Sequence, residues 1–137
     1  MTQAGITQER TAPTARPDPT AAVLYVCAER GTLTPSLAAE RAEEEGRSYA
    51  AARGVRITKT ISDRYGEPDP QKREGWMRVR ELAAAGSVGV VLVRWPAAIA
   101  PDTAHEWRYR EIRWLSDHGV QVRYSWAPLT SVGGEIK

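Results

Sequence analysis

Phenylalanine is absent from this chain, cysteine occurs once, and methionine and histidine occur twice each. The single cysteine, Cys27, excludes an internal disulfide framework and any multi-cysteine zinc site. Two histidines, His105 and His118, speak against a histidine-based metal centre, so no metal is expected. The longest apolar run, from Val88 to Val93, is far short of the ~20 residues that span a bilayer. A charged-then-apolar leader is also missing, so neither secretion nor a membrane is expected. Charge of one sign is scarce: 19 Lys and Arg face 17 Asp and Glu, and a formal net charge of +2 does not announce nucleic-acid binding. What is present is a chain of 137 residues, 42% hydrophobic, with five Trp and five Tyr supplying the bulk that Phe does not. That is one domain's worth of protein. The expectation is a cytoplasmic α/β domain in a reducing compartment.

Residues 1–20 carry Pro13, Pro17 and Pro19 among Thr, Ala and Gln, and read as a flexible arm. Residues 127–137 read as a loop-like tail. Between them, over residues 21–126, the hydrophobic period switches regularly. The run Ala22 to Cys27 has the signature of a strand buried on both faces. Thr34-Pro35 suits a helix start, the stretch to Arg53 is rich in helix formers, and Gly54 suits its end. Val55 to Ile61 alternates and is β-branched, which predicts a second strand. A loop from Ser62 to Pro70 follows. Asp69-Pro70 opens a predicted helix to Ala85, ended by Gly86. Val88 to Val93 is the most apolar strand and belongs at the sheet centre. Asp102 is placed to cap a third helix through His118, closed by Gly119, and Val120 to Tyr124 forms the last strand. Strands alternating with helices predict right-handed crossovers and a mainly parallel sheet in order 2-1-3-4. Functional groups in such sheets collect at the carboxyl ends of the strands.

Few residues at those ends suggest chemistry of their own. Leu33 stands where a cysteine phosphatase needs arginine, so Cys27 reads as a buried inert thiol. Cys27-Ala28-Glu29-Arg30-Gly31 has too few glycines for a dinucleotide fingerprint or a P-loop, and no cofactor is expected. Asp63, Glu67 and Asp69 read first as turn and capping residues, ahead of a weak Mg²⁺ site. Trp76, Trp107 and Trp114 lie on predicted helices; Trp107 and Trp114, seven apart, share a face that serves either packing or an interface. Lys72, Arg73, Arg78 and Arg80, with Arg94, Arg108, Arg110 and Arg113, form the one candidate basic surface. Its third-helix part is interleaved with Glu106 and Glu111, as on a solvated mixed-charge face.

The segments Leu24 to Glu29, Ser36 to Glu40, Asp63 to Gly66, Arg73 to Trp76, Val91 to Val93 with Asp102-Thr103-Ala104, and His118 to Val122 follow one another in a familiar order. Together they resemble the catalytic domain of serine recombinases, the resolvase/invertase family. The resemblance spans about Ala22 to Tyr124 and implies a resolvase-like three-layer fold. It also implies DNA strand exchange through a serine nucleophile supported by arginines.

The departures bear directly on activity. The nucleophile position falls on Glu29, a nearby family arginine falls on Cys27, and the Asp-Arg-Leu-x-Arg turn falls on Ala97 to Pro101. Of the family's site, Tyr25 and Arg73 match, and Glu29 could pair with Arg73. No recognition helix fits the thirteen residues after Tyr124, which include Pro128, Gly133 and Gly134. The resemblance therefore leads to a catalytically inactive binding or accessory module, or a mobile-element remnant. Its expected partners are a protein or a second copy, with DNA binding weak or absent for the chain alone. The alternatives are a recombinase whose partner supplies DNA binding, or an unrelated α/β enzyme using Glu29, Cys27 or Asp63.

Overall fold

The computed structural model describes residues 18–28 and 36–126. The predicted arm up to Pro17, the Thr34-Pro35 helix start, Glu29 and the tail from Ala127 lie outside the described residues. The chain runs β1 (Ala21–Ala28), α1 (Leu37–Arg53), β2 (Arg56–Arg64), a 3-10 turn (Pro70–Lys72), α2 (Glu74–Ala84) and β3 (Val90–Val93). Two further 3-10 turns (Pro96–Ala98 and Asp102–Ala104), α3 (His105–Asp117) and β4 (Gln121–Tyr124) complete it. The strands form one sheet in order β2-β1-β3-β4, and every neighbouring pair is parallel. The apolar run around Val91 is central, as its composition predicts.

β1 is buried from Ala21 to Cys27, so both its faces meet packed layers. Val23, Tyr25 and Cys27 join the core beneath α2 and α3 with Trp76, Val79 and Leu115. Leu24 and Val26 point the other way, toward Ala42 and Ala50 of α1. The seam against α1 is built from small residues: Ala42, Gly46 and Ala50 are its buried positions. A Cβ on Gly46 would come within 2.6 Å of Leu24 Cδ1, so glycine sets how closely the helix lies on the sheet. Gly54 then ends the helix in the left-handed region, at φ 69°, and its N–H donates to the Ala50 carbonyl.

Three local expectations are corrected. β2 runs through Arg64, so the predicted Ser62–Pro70 loop begins later; Ser62, Asp63 and Arg64 pair with Val26, Cys27 and Ala28. The helix expected from Asp69 to Ala85 is split at Arg73, whose φ of −101° and ψ of 127° are extended. Tertiary partners cause the break: the Arg73 side chain turns inward and is 5% exposed. Asp102 does not cap α3; its carboxylate takes a hydrogen bond from Arg108 at 2.9 Å. Asp18 to Thr20 are tied to the sheet, through Arg56 N–H to the Thr20 carbonyl and an Arg56–Asp18 ion pair at 3.4 Å.

Candidate functional site at the strand ends

The order β2-β1-β3-β4 reverses direction between β1 and β3. The chain leaving β1 passes to α1 on one face, and the chain leaving β3 passes to α3 on the other. The two connections diverge and leave a crevice at the carboxyl ends of these strands, where α/β sheets bind ligands. A cleft of about 440 Å³ occupies this place, lined by Tyr25, Cys27, Tyr65, Arg94, Trp95 and Ala98 among others.

Behind the cleft, three of the singled-out residues meet. The Tyr25 hydroxyl donates to Asp63 Oδ2 at 2.6 Å, and Arg73 Nη1 reaches the Tyr25 oxygen at 3.4 Å. Asp63 also accepts the N–H groups of Gly75 and Trp76, each at 2.8 Å. It therefore serves as the N-terminal cap of α2 from a strand twelve residues earlier, countering the exposed donors and positive end of the helix dipole. Arg73 donates from Nε to the Glu67 carbonyl at 2.8 Å and from Nη1 to the Ala98 carbonyl at 2.8 Å. It ties the loop after β2 to the turn after β3. The Tyr25 ring stands edge-on to Trp76, with centroids 5.0 Å apart.

The Tyr25 hydroxyl and the Cys27 thiol are both shifted toward their neutral forms. Burial pushes the Tyr25 hydroxyl far above its usual range, and the nearby Cys27 and its bond to Asp63 add to this. Burial likewise raises the Cys27 thiol, more than the Arg73 guanidinium lowers it. Cys27 is buried, as expected from the sequence, and its Sγ lies 3.9 Å from the Arg64 carbonyl. Of the carboxylate trio, Asp63 caps α2, Glu67 accepts the Asp69 N–H at 3.1 Å, and Asp69 accepts the Gln71 N–H at 3.0 Å. No group of three His, Cys, Asp or Glu among the described residues is placed to hold a metal ion.

The basic surface is largely committed internally. Glu111, expected on a solvated face, is fully buried. Its carboxylate accepts from Trp76 Nε1 at 2.8 Å, Gln71 Nε2 at 2.9 Å and Arg110 Nε at 2.9 Å. Arg80 Nε lies 3.1 Å from it as an ion pair, and the Arg80 guanidinium stacks 4.0 Å over Trp114. Arg110 also bonds Asp69 at 2.8 Å, and Arg94 bonds Glu45 at 3.0 Å. Trp76 is core and Trp114 packs against the core from a half-buried position, while Trp107 is half-buried outside it. Sequence reasoning passed over Trp95 and Trp126, which meet edge to face at 5.4 Å beside the cleft. Their positions just past β3 and β4 were the available signal.

This arrangement defines a class: the chain has the α/β fold of serine recombinase catalytic domains, with the sheet order and flanking helices that the resemblance implied. It is similar to the C-terminal catalytic domain of ISC1926 TnpA, an IS607-like serine recombinase, with TM-score 0.67 and 20% identity over 85% of this chain and 77% of that one. The N-terminal catalytic domain of TP901-1 integrase gives 0.59 and 13% over 75% and 76%. The first ORF of transposon ISC1904 from Sulfolobus solfataricus P2 gives 0.54 and 13% over 84% and 76%. At these identities the likeness is one of fold. The sequence matches no family model and no curated protein. No helix among the described residues is long and apolar enough to cross a membrane.

Proposed function

We propose that this domain is a cytoplasmic serine-recombinase fold that no longer cuts DNA and is either a binding or accessory module or a remnant of a mobile element. The observation that carries this reading is the state of Arg73. It is the one phosphate-binding arginine that the resemblance leaves, and it is buried, with its Nε and Nη1 engaged by two backbone carbonyls and the Tyr25 oxygen. Phosphoryl transfer needs an activated nucleophile and several cations around the developing charge. The Tyr25 hydroxyl and the Cys27 thiol are both shifted toward their neutral forms. Ala98 and Pro101 stand where the resemblance expects arginine, and Glu29 stands where it expects serine. Removing one charge-stabilising donor costs about 10²–10³ in rate, so the combined loss leaves no strand cleavage.

The partner we propose is a protein or a second copy of the chain. Arg80, Arg94, Arg108 and Arg110, four of the eight residues of the candidate basic surface, each have a carboxylate partner and so offer less charge to phosphates. DNA affinity should therefore be weak and vanish near physiological salt. The test is incubation with supercoiled DNA followed by a denaturing gel. No covalent protein–DNA adduct is expected, either with the natural chain or with Glu29→Ser. An adduct with the natural chain would overturn this reading in favour of an active serine recombinase.

A further inference from the structure

The crevice between β1 and β3 is more than a vacated catalytic site. We propose that it binds one small, flat, uncharged heteroaromatic molecule of one or two fused rings. This deepens the reading of the domain as a non-cleaving binding module and rests on it. The cleft lies at the point where the sheet order reverses, and its 440 Å³ falls within the roughly 300–1,000 Å³ of small-molecule sites.

Its lining selects the ligand's shape. Ala28, Ala38, Ala42, Ala97 and Ala98 leave the space open where longer side chains would fill it. Tyr65 and Trp95 also line the cleft and remain 51% and 37% exposed, so two large rings are available for stacking. Trp95 is steadied by Trp126, edge-on to it, and by the Arg94 guanidinium, 4.3 Å from its ring centroid. A pre-set ring loses little freedom when a second ring stacks on it.

The electrostatics select neutrality with an acceptor. Arg94 is the one formally charged residue among the described residues lining the cleft, and its Nε is held by Glu45 at 3.0 Å. That pairing cancels its net charge but leaves terminal N–H donors without a partner among the described residues. Tyr25 and Cys27 are both shifted toward their neutral forms. A ring nitrogen or carbonyl can take the Arg94 donors, whereas an anion gains no net positive charge to offset its desolvation. The larger groove of about 770 Å³ between β2 and α2 mixes Lys59 and Arg78 with Asp63, Glu74 and Glu81, and selects no ligand in this way.

The test titrates the full chain with adenine, with benzoate as a flat anion and with cyclohexanol as a puckered ring. The readouts are the Trp95 indole and the Ala97 and Ala98 amide resonances. Adenine should give saturable shifts at these positions, with the other two at least tenfold weaker. Ala38→Phe, which fills the cleft from half-exposed α1, and Trp95→Leu should each weaken adenine at least tenfold, with the remaining amide spectrum intact. Absence of saturation at millimolar adenine, equal binding of benzoate, or binding retained in both variants would overturn the proposal. The DNA-adduct gel separates the two readings: an adduct removes the non-cleaving module on which the cleft proposal rests. Silent adenine titrations without an adduct remove the cleft proposal alone.

Discussion

Replacing Asp63 by alanine should be the most informative change to the site. The carboxylate accepts two backbone N–H bonds at the start of α2, and loss of a helix cap costs about 1 kcal/mol. It also holds the hydroxyl of Tyr25, which is 1% exposed. An unpaired buried hydroxyl costs roughly 1–3 kcal/mol, so Asp63→Ala should lose about 2–4 kcal/mol in total. Tyr25→Phe removes the hydroxyl yet leaves the cap, and should lose only ~0.5–1.5 kcal/mol. In the Asp63→Ala background the same tyrosine change should be nearly free, because the O–H it removes has already lost its acceptor. Urea unfolding of the four proteins gives the coupling, expected near 1 kcal/mol. The reasoning fails if the two losses add within about 0.3 kcal/mol, since the Tyr25–Asp63 bond would then contribute nothing.

Other outcomes follow from the same contacts. Glu111→Ala leaves Arg80 and the Trp76 N–H without their buried carboxylate, and should cost on the order of 3–5 kcal/mol, measurable in the same denaturation assay. Burial alone would raise the Asp69 carboxyl, but hydrogen bonds from Arg110 and the Gln71 amide outweigh it and hold the group below its ordinary value. A carboxyl depressed in the folded state contributes stability that is present above its unfolded pKa of about 3.9 and lost as pH falls through the folded value. Asp69→Asn should therefore flatten the acid limb of a stability–pH curve, and an unchanged limb would count against the pair. Cys27, its thiol raised by burial, should react with iodoacetamide at pH 8 far more slowly in the folded than in the urea-unfolded chain.

The sheet was legible because its strands are written as runs and alternations that permit few other uses. Ala21 to Cys27 has no polar residue to turn outward, so it had to lie between two layers. The apolar run around Val91 had to be central for the same reason. What escaped the sequence depends on partners distant along the chain. Arg73 lies in a helix-forming stretch, and only contacts with Glu67 and Ala98 reveal why it breaks that stretch. Asp63 read as one of three turn and capping residues, but which amides it caps was hidden, because they begin twelve positions later. Glu111 carries a charge among charges, and its burial follows from the convergence of Trp76, Gln71, Arg80 and Arg110, which periodicity does not encode. Tyr25 and Arg73 were identified from the resemblance, and the structure brings them together, Arg73 Nη1 lying 3.4 Å from the Tyr25 oxygen.

The small-residue seam under α1 has a consequence for motion. The other face of the sheet is fastened by Trp76, Val79 and Leu115, whereas α1 is held through Ala42, Gly46 and Ala50, which bury little apolar area. The elements of a domain that open most readily are those with the least buried apolar contact. α1 is therefore the layer that should lift first, ahead of any global unfolding, and its amide protons should exchange before those of α2. Ala38 and Ala42 belong both to this helix and to the cleft lining, so the crevice has one wall set on its firmest strands and another on its loosest helix. Its width is thus tied to a local opening equilibrium, and a ligand that bridges the two walls would slow exchange along the whole of α1.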